Sequence, residues 1–93
     1  MPPVSLGPVY RVAIGAPRTD VIAAVSRSLQ GATFYRATGL WQGNLEESTV
    51  VEWADATSEL QARVRAIRWG RECNQEAVYF VVNNEAFILS CLP

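Results

Sequence analysis

Apolar and polar residues alternate along several stretches of this chain with the period of a β-strand. In the run VYRVAI, residues 9–14, every second side chain would point to the same side of a sheet. The same pattern returns in ATFYRATGLWQ (32–42), LEESTVVEW (45–53) and AVYFVV (77–82). Asn83 and Asn84 then offer a turn into EAFILSC. The pattern predicts four strands and leaves a short fifth strand open.

Two segments between these strands have the helical period instead. In the first, Thr19 or Asp20 would cap a helix that runs through Leu29 and ends at Gly31. The second, ADATSELQARVRAIRWG, closes at Gly70. The predicted buried stripes are Val21, Ile22, Val25 and Leu29 in the first helix, and Leu60, Val64 and Ile67 in the second. Trp69 falls outside its stripe, so either the helix end turns it inward or it marks a second contact surface.

The second and third strands are joined by Gly43 and Asn44, a pair that tolerates the positive φ angles of a two-residue hairpin turn. With that turn, Gln42 would lie opposite Leu45, and Trp41 opposite Glu46. The remaining predicted pairs are Gly39 with Ser48, Ala37 with Val50, and Tyr35 with Glu52. The segment GLWQGNLEES is therefore expected to be the tip of a long hairpin.

The element order predicts an α+β fold, the ferredoxin-like βαββαβ arrangement, with a possible short fifth strand. Its antiparallel sheet carries both helices on one face, and right-handed crossovers place the first strand beside the third. Residues 1–8, which include three prolines, are expected to form a flexible tail before a single domain of residues 9–93.

Sorting the strand residues by face predicts which side chains the uncovered face of the sheet displays. Phe34, Leu40, Leu45, Val51 and Trp53 would turn toward the helices. A set of mainly aromatic and charged residues would occupy the open face: Arg11, Tyr35, Trp41, Glu46, Ser48, Val50, Glu52 and Tyr79. Because a small monomer seldom leaves so much aromatic surface in water, this face is expected to bind a ligand or a partner, most simply a second copy of the chain, through the seven of these residues other than Val50.

Composition limits the partners. The 93 residues carry a net charge of −1, with eight basic residues, all arginine, against nine acids, so no basic field attracts nucleic acid. No segment approaches the ~20 apolar residues of a membrane span, and no leader peptide is visible, so we expect a cytoplasmic protein without membrane contact. Cys73 and Cys91 are expected to be free thiols.

Missing residue types limit the chemistry further. Without histidine the chain has no imidazole base and no histidine metal ligand, and without lysine it has no P-loop lysine and no Schiff base. Two cysteines alone do not make a zinc site. Glu46 and Glu47 are neighbours on a strand and point to opposite faces, which makes them a poor acid/base pair. The sequence therefore predicts no catalytic residue, no metal and no cofactor.

The hairpin carries two family resemblances. Through Trp41, Gly43 and Glu46, within residues 33–82, it is similar to the PII-like CutA proteins, which implies a ferredoxin-like homotrimer. It also resembles uncharacterised small proteins, some from bacteriophages of high-GC hosts, that share a Gly-x-Trp…Glu-x-Ser hairpin and a later strand entry. The matching residues are Gly39, Trp41, Glu46, Ser48, Gln75, Glu76 and Val78. This second resemblance implies a fold and supplies no activity.

Three hypotheses about function follow. The preferred one is a non-enzymatic, oligomeric binding protein, phage-encoded and acting on a host protein through the open face. The second is a PII-like protein that binds a small anion or nucleotide near Arg11, Trp41 and Glu46. The third is a small enzyme with Glu46 or Glu52 as base and Tyr35 as acid, which would require a deep pocket on this face. Gln75 and Glu76 are expected to anchor the loop after the second helix.

Overall fold

The computed structural model describes all residues, 1–93, and contains the predicted strands and helices together with the fifth strand, although the first helix has no side-chain cap at Thr19 or Asp20 and ends at Ser26 instead of Leu29. In chain order the elements are β1 (Val9–Ile14), α1 (Arg18–Ser26), β2 (Thr33–Trp41), β3 (Asn44–Ala54), α2 (Glu59–Glu72), β4 (Ala77–Val82) and β5 (Glu85–Ser90). Asn83 and Asn84, with φ of 51° and 62°, form the tight turn from β4 into β5. Ser58 caps α2 by accepting a hydrogen bond from the Gln61 amide at 3.2 Å.

The strands form one antiparallel sheet in the order β2-β3-β1-β4-β5. β1 is central and pairs with both β3 and β4, which confirms the predicted neighbours of the first strand. β5 extends the sheet beyond β4. The chain is therefore an α+β domain with two helices and a five-stranded antiparallel sheet.

The β2–β3 hairpin turns one residue earlier than predicted. Gln42 and Gly43, with φ of 49° and 79°, are the two central residues, and Asn44 belongs to β3 and pairs with Trp41. Glu46 consequently lies opposite Gly39 instead of Trp41. Because every partner moves by two residues, each side chain keeps its predicted face. The predicted pairs were wrong and the predicted faces were right.

The core lies between the helices and one face of the sheet. Tyr10, Val12 and Ile14 of β1 are buried at its centre. The other buried apolar residues of the sheet are Val51, Trp53, Val78, Phe80, Val82 and Leu89. The Trp69 side chain is fully buried, packs edge-on against Trp53 at a centroid distance of 4.9 Å, and donates its indole N–H to the Ser28 hydroxyl at 2.9 Å. Of the two alternatives for Trp69, the inward one is correct.

The face that α2 turns to the sheet is made of small residues. Ala62, Ala66 and Gly70 are buried, whereas Leu60 is 70% exposed and Val64 is 49% exposed, so of the predicted stripe only Ile67 packs against the core. A Cβ at Gly70 would lie 2.5 Å from Cys91 Sγ and 2.7 Å from Val78 Cγ1. Small side chains let the helix backbone approach the sheet closely, and larger ones at these positions would push it away.

Leu40 and Leu45 are also outside the core, contrary to expectation. Both point to the helix side of the sheet, but they are 70% and 75% exposed. The reason is that the pairing of β1 with β3 ends at Ile14 and Thr49, so the end of the β2–β3 hairpin continues past the rest of the sheet. We call this two-stranded end, residues 37–48, the hairpin extension.

Residues 1–8 form no helix or strand, and their flexibility stays a prediction. Cys73 and Cys91 are both free, and burial raises the pKa of each thiol above its ordinary value. Neither helix combines the length and the apolar character needed to cross a lipid bilayer.

Candidate functional site

The uncovered face of the sheet is concave and holds a groove of about 850 Å³. One wall is the hairpin extension, and the opposite wall is the segment Asn74–Ala77 that leads from α2 into β4. The floor comes from the alternate residues of the central strands, among them Ala13, Val50 and Val81. We call this cavity the open-face groove. A concave, largely apolar cavity of this size fits a small organic molecule.

Six of the seven predicted site residues line the open-face groove: Arg11, Tyr35, Trp41, Glu46, Ser48 and Tyr79. Its aromatic side chains remain accessible, with Trp41 54%, Tyr79 49% and Tyr35 40% exposed. Exposed rings inside a concavity can stack on a planar ligand or contact a cation with their faces.

Glu52, the seventh, lies outside the lining. Its carboxylate accepts a hydrogen bond from Arg11 Nε at 2.7 Å, directly across the β1–β3 pair. This bond, followed by the attraction of the Glu52 charge, raises the pKa of Arg11 above its ordinary value, and the Tyr35 hydroxyl contributes a smaller effect. The single arginine of the groove is therefore already paired with an acid.

Glu46 and Ser48 project from β3 on the open face, as predicted. The Ser48 hydroxyl donates to the Ala37 carbonyl at 3.5 Å, so it is held by the neighbouring strand. Glu46 forms no ion pair, and Glu47 points to the other side of the sheet. Glu46 is exposed and not enclosed in a deep pocket, so its carboxylate is free to meet a ligand.

Gln75 ties one wall of the groove, the segment Asn74–Ala77, to the end of β1. Its side-chain amide nitrogen donates to the Gly15 carbonyl and to the Cys73 carbonyl, each at 3.1 Å. The backbone carbonyl of Glu76 accepts from the Cys91 amide at 2.8 Å. Both residues therefore anchor the loop after α2, as the sequence indicates, and Gln75 also lines the groove.

Sequence patterns missed the groove residues that lie outside the first four strands. Gly15 follows the last residue of β1, Asn74 has a φ of 60° in the loop after α2, and Ile88 on β5 is 54% exposed beside Tyr79. Only Ile88 had a signal that could have found it, because an alternating fifth strand places it on the open face. No group of three or more Cys, Asp or Glu side chains converges where a metal ion could be held.

Comparison with known proteins gives one informative likeness. No protein-family model and no curated protein matches the chain. A solved structure described as a phage SAM lyase in the apo state is similar, with a TM-score of 0.70 and 19% sequence identity. The similarity covers 97% of this chain and 94% of that chain. At this level of identity the likeness shows that the two proteins share a fold.

This likeness corrects the expectation that the protein is not an enzyme. Over nearly its whole length, this chain shares its fold with a structure that is described as a lyase. The absence of histidine and lysine excludes particular mechanisms, such as imidazole base catalysis, but lyase chemistry does not require those residues. The phage origin of the similar structure agrees with the resemblance to small proteins that include phage members. The hairpin pattern and the resemblance to CutA stay predictions.

Proposed function

We propose that this protein is a small phage-type enzyme that binds S-adenosylmethionine (SAM) in the open-face groove and cleaves it as a lyase. The proposal rests on one observation above all: this chain, which shares its fold with a phage SAM lyase, has a groove with accessible aromatic rings and an unpaired carboxylate. We also propose that the fold is ferredoxin-like, which the strand order β2-β3-β1-β4 supports.

The charges of the groove suit a cationic ligand. SAM carries a positive sulfonium and a positive ammonium group against one carboxylate. Glu46 and Glu76 line the groove without an ion-pair partner, while Arg11 is neutralised by Glu52. The local field is therefore negative, which favours a ligand with net positive charge.

The aromatic residues suit the sulfonium and the adenine of SAM. A ring face within about 6 Å of a cation contributes roughly 0.5–2 kcal/mol, and stacking of a base on an aromatic side chain contributes about 1–3 kcal/mol. Tyr35, Trp41 and Tyr79 could supply both contacts, one for the sulfonium and one for the adenine. Trp41 has the largest ring and lies on the hairpin extension, so we assign adenine stacking to it.

Cleavage of a sulfonium removes its charge. The C–S bond breaks with its electron pair moving to sulfur, which leaves as a neutral thioether. As this bond breaks, either a base such as a carboxylate of the groove takes a proton from the adjacent carbon and a double bond forms, or the carboxylate of the same substrate attacks the carbon and closes a lactone. In both routes the charge on sulfur falls toward the transition state. An apolar floor formed by Ala13, Val50 and Val81 therefore disfavours the charged substrate more than the transition state.

The test is incubation of the purified protein with SAM, followed by chromatography. We expect SAM to disappear while a neutral thioether nucleoside accumulates in equal amount. Trp41→Ala should raise KM about tenfold or more, because the stacking contact with adenine is lost. Leu60→Ala, a change on the exposed side of α2, is the matched control and should leave both kcat and KM unchanged. Failure of the unmodified protein both to consume SAM and to bind it would refute the proposal.

A second candidate is the binding of a small anion. A smaller concavity of about 430 Å³ on the other side of the hairpin extension is lined by Arg18 and Arg36, neither of which has a carboxylate partner, although Glu47 lies in the same lining. Thermal-shift measurements with nucleotides and inorganic phosphate test this candidate. Stabilisation that is lost in Arg36→Ala would support it, and no stabilisation by any of these anions would exclude it.

A further inference from the structure

We propose that Gly15, Glu46 and Gln75 form a subsite for a primary ammonium group at the end of the open-face groove. The inference rests on the proposed function and refines it by naming the part of the substrate that each end of the groove recognises. In SAM the ammonium belongs to the amino acid moiety. The subsite lies where β1 ends, beside the base of the hairpin extension.

The side-chain amide of Gln75 has only one orientation that satisfies its neighbours. Its nitrogen lies 3.1 Å from two carbonyl oxygens, those of Gly15 and Cys73. A carbonyl can only accept, so the NH₂ group must point to both of them. The amide oxygen of Gln75 consequently points away from these carbonyls and is available to accept a hydrogen bond.

Gly15 provides the space in front of that oxygen. A Cβ placed on Gly15 would lie 3.0 Å from Gln75 Oε1 and 3.4 Å from Glu46 Oε1. Two acceptor oxygens therefore converge over the same backbone position. Gly15 is not among the residues with positive φ, so its backbone conformation does not require glycine, and the missing side chain serves only to leave room.

The charge of the subsite favours an ammonium group over a neutral donor. Glu46 brings a negative charge that no arginine neutralises, and Glu76 lines the same groove. Arg11, the cation of the groove, is bonded to Glu52. A carboxylate and an amide oxygen, in a groove whose one arginine is already paired, can accept two of the three hydrogen bonds that a primary ammonium donates.

The test compares two neutral thioethers that share the adenosine group and differ in the amino acid. S-adenosylhomocysteine has the ammonium group, and 5′-methylthioadenosine lacks it. Gly15→Ala fills the space between the two oxygens, and Glu46→Gln removes the charge while keeping the size. By calorimetry, each variant should weaken binding of S-adenosylhomocysteine about tenfold or more and change binding of 5′-methylthioadenosine less than about twofold.

Gly31→Ala is the matched control. It adds the same methyl group outside the groove, where no atom lies within 4 Å of the added Cβ. Both ligands should bind this variant as they bind the unmodified protein. Equal weakening of both ligands by Gly15→Ala and Glu46→Gln, or weakening of neither, would overturn the subsite while leaving the proposed function standing.

Failure of the proposed function would look different. In that case the unmodified protein neither consumes SAM nor binds either nucleoside. The subsite is then tested with methylammonium alone, by NMR on ¹⁵N-labelled protein. Concentration-dependent shifts of the Gln75 side-chain amide that are absent from Gly15→Ala support the ammonium subsite, and no shift in the unmodified protein overturns it.

Discussion

Replacement of Gly70 by alanine should destabilise the protein, although the same change usually stabilises a helix. Gly70 lies within α2, where the helix contacts the sheet and the C-terminal strand. The added Cβ would lie 2.5 Å from Cys91 Sγ and 2.7 Å from Val78 Cγ1. Both distances are roughly 1 Å shorter than the optimal contact of about 3.5–4.0 Å. Since Val78 and Cys91 are themselves buried, α2 must move away from the sheet.

The magnitude follows from two opposing effects. Overpacking a well-filled core costs about 1–3 kcal/mol, and two short contacts at once place Gly70→Ala near the upper end of that range. Alanine recovers about 1 kcal/mol because it is the better helix former. We therefore expect the free energy of unfolding to fall by about 1–2 kcal/mol, which in a domain of this size lowers Tm by roughly 5–15 °C.

Urea unfolding followed by circular dichroism measures this loss. Gly31→Ala is the control, because no atom lies within 4 Å of the position where its Cβ would be placed, and it should change stability by less than about 0.5 kcal/mol. Adding Cys91→Ala to Gly70→Ala removes the closer contact, so a double-mutant cycle should show a favourable coupling between the two changes. A Gly70→Ala protein as stable as the parent would refute the close packing of α2 on the sheet.

Three further outcomes are expected. A hydrogen bond from the Thr57 amide, followed by one from Arg65, lowers the pKa of Asp55. The ionised carboxylate therefore stabilises the protein above about pH 4, and this contribution is lost as the pH falls through the lowered pKa. Asp55→Asn should reduce the loss of unfolding free energy between pH 7 and acid, and an unchanged pH dependence would contradict this. Gln42→Asn should raise the free energy of unfolding in urea by about 0.5–1 kcal/mol, because asparagine tolerates the positive φ of 49° better than glutamine does. No gain in stability would indicate that other residues form the turn. Self-association through the open face predicts that Trp41→Ala lowers the mass measured by light scattering, and a monomeric mass for the unmodified protein would count against it.

The division of residues between the two faces of the sheet could be predicted from sequence, because alternation with period two survives an error in the turn. The hairpin was placed one residue too late, on Gly43 and Asn44, yet Trp41 and Glu46 still point to the open face. Glycine and asparagine are the expected turn residues, and sequence statistics give no reason to place Gln42 at a positive φ.

The packing of α2 was harder to predict, because the usual rule looks for large apolar residues. Leu60 and Val64 satisfy that rule and are exposed, while Ala62, Ala66 and Gly70 repeat every four residues and face the sheet. The helix therefore packs on the sheet through small residues and the one large side chain of Trp69. Only the three-dimensional spacing between helix and sheet decides between the two arrangements.

The groove itself could be predicted only in part. The strand residues that line it, such as Tyr35 and Tyr79, follow from periodicity. Gly15 and the amide of Gln75 come from loops that are 60 residues apart in the chain, and no local pattern indicates that they meet. The absence of histidine and lysine led to the wrong expectation about enzyme activity, because this absence excludes only the mechanisms that need a lysine or a histidine.

The three tryptophans divide into two environments that differ in their optical properties. Trp53 and Trp69 are buried and in contact with each other, whereas Trp41 is half exposed on the wall of the groove. An aqueous quencher such as iodide would therefore reach Trp41 and leave the buried pair emitting. The protein carries two intrinsic fluorescent reporters in one chain: the red-shifted, quenchable emission of Trp41 follows occupancy of the groove, and the blue-shifted emission of the buried pair follows the integrity of the core.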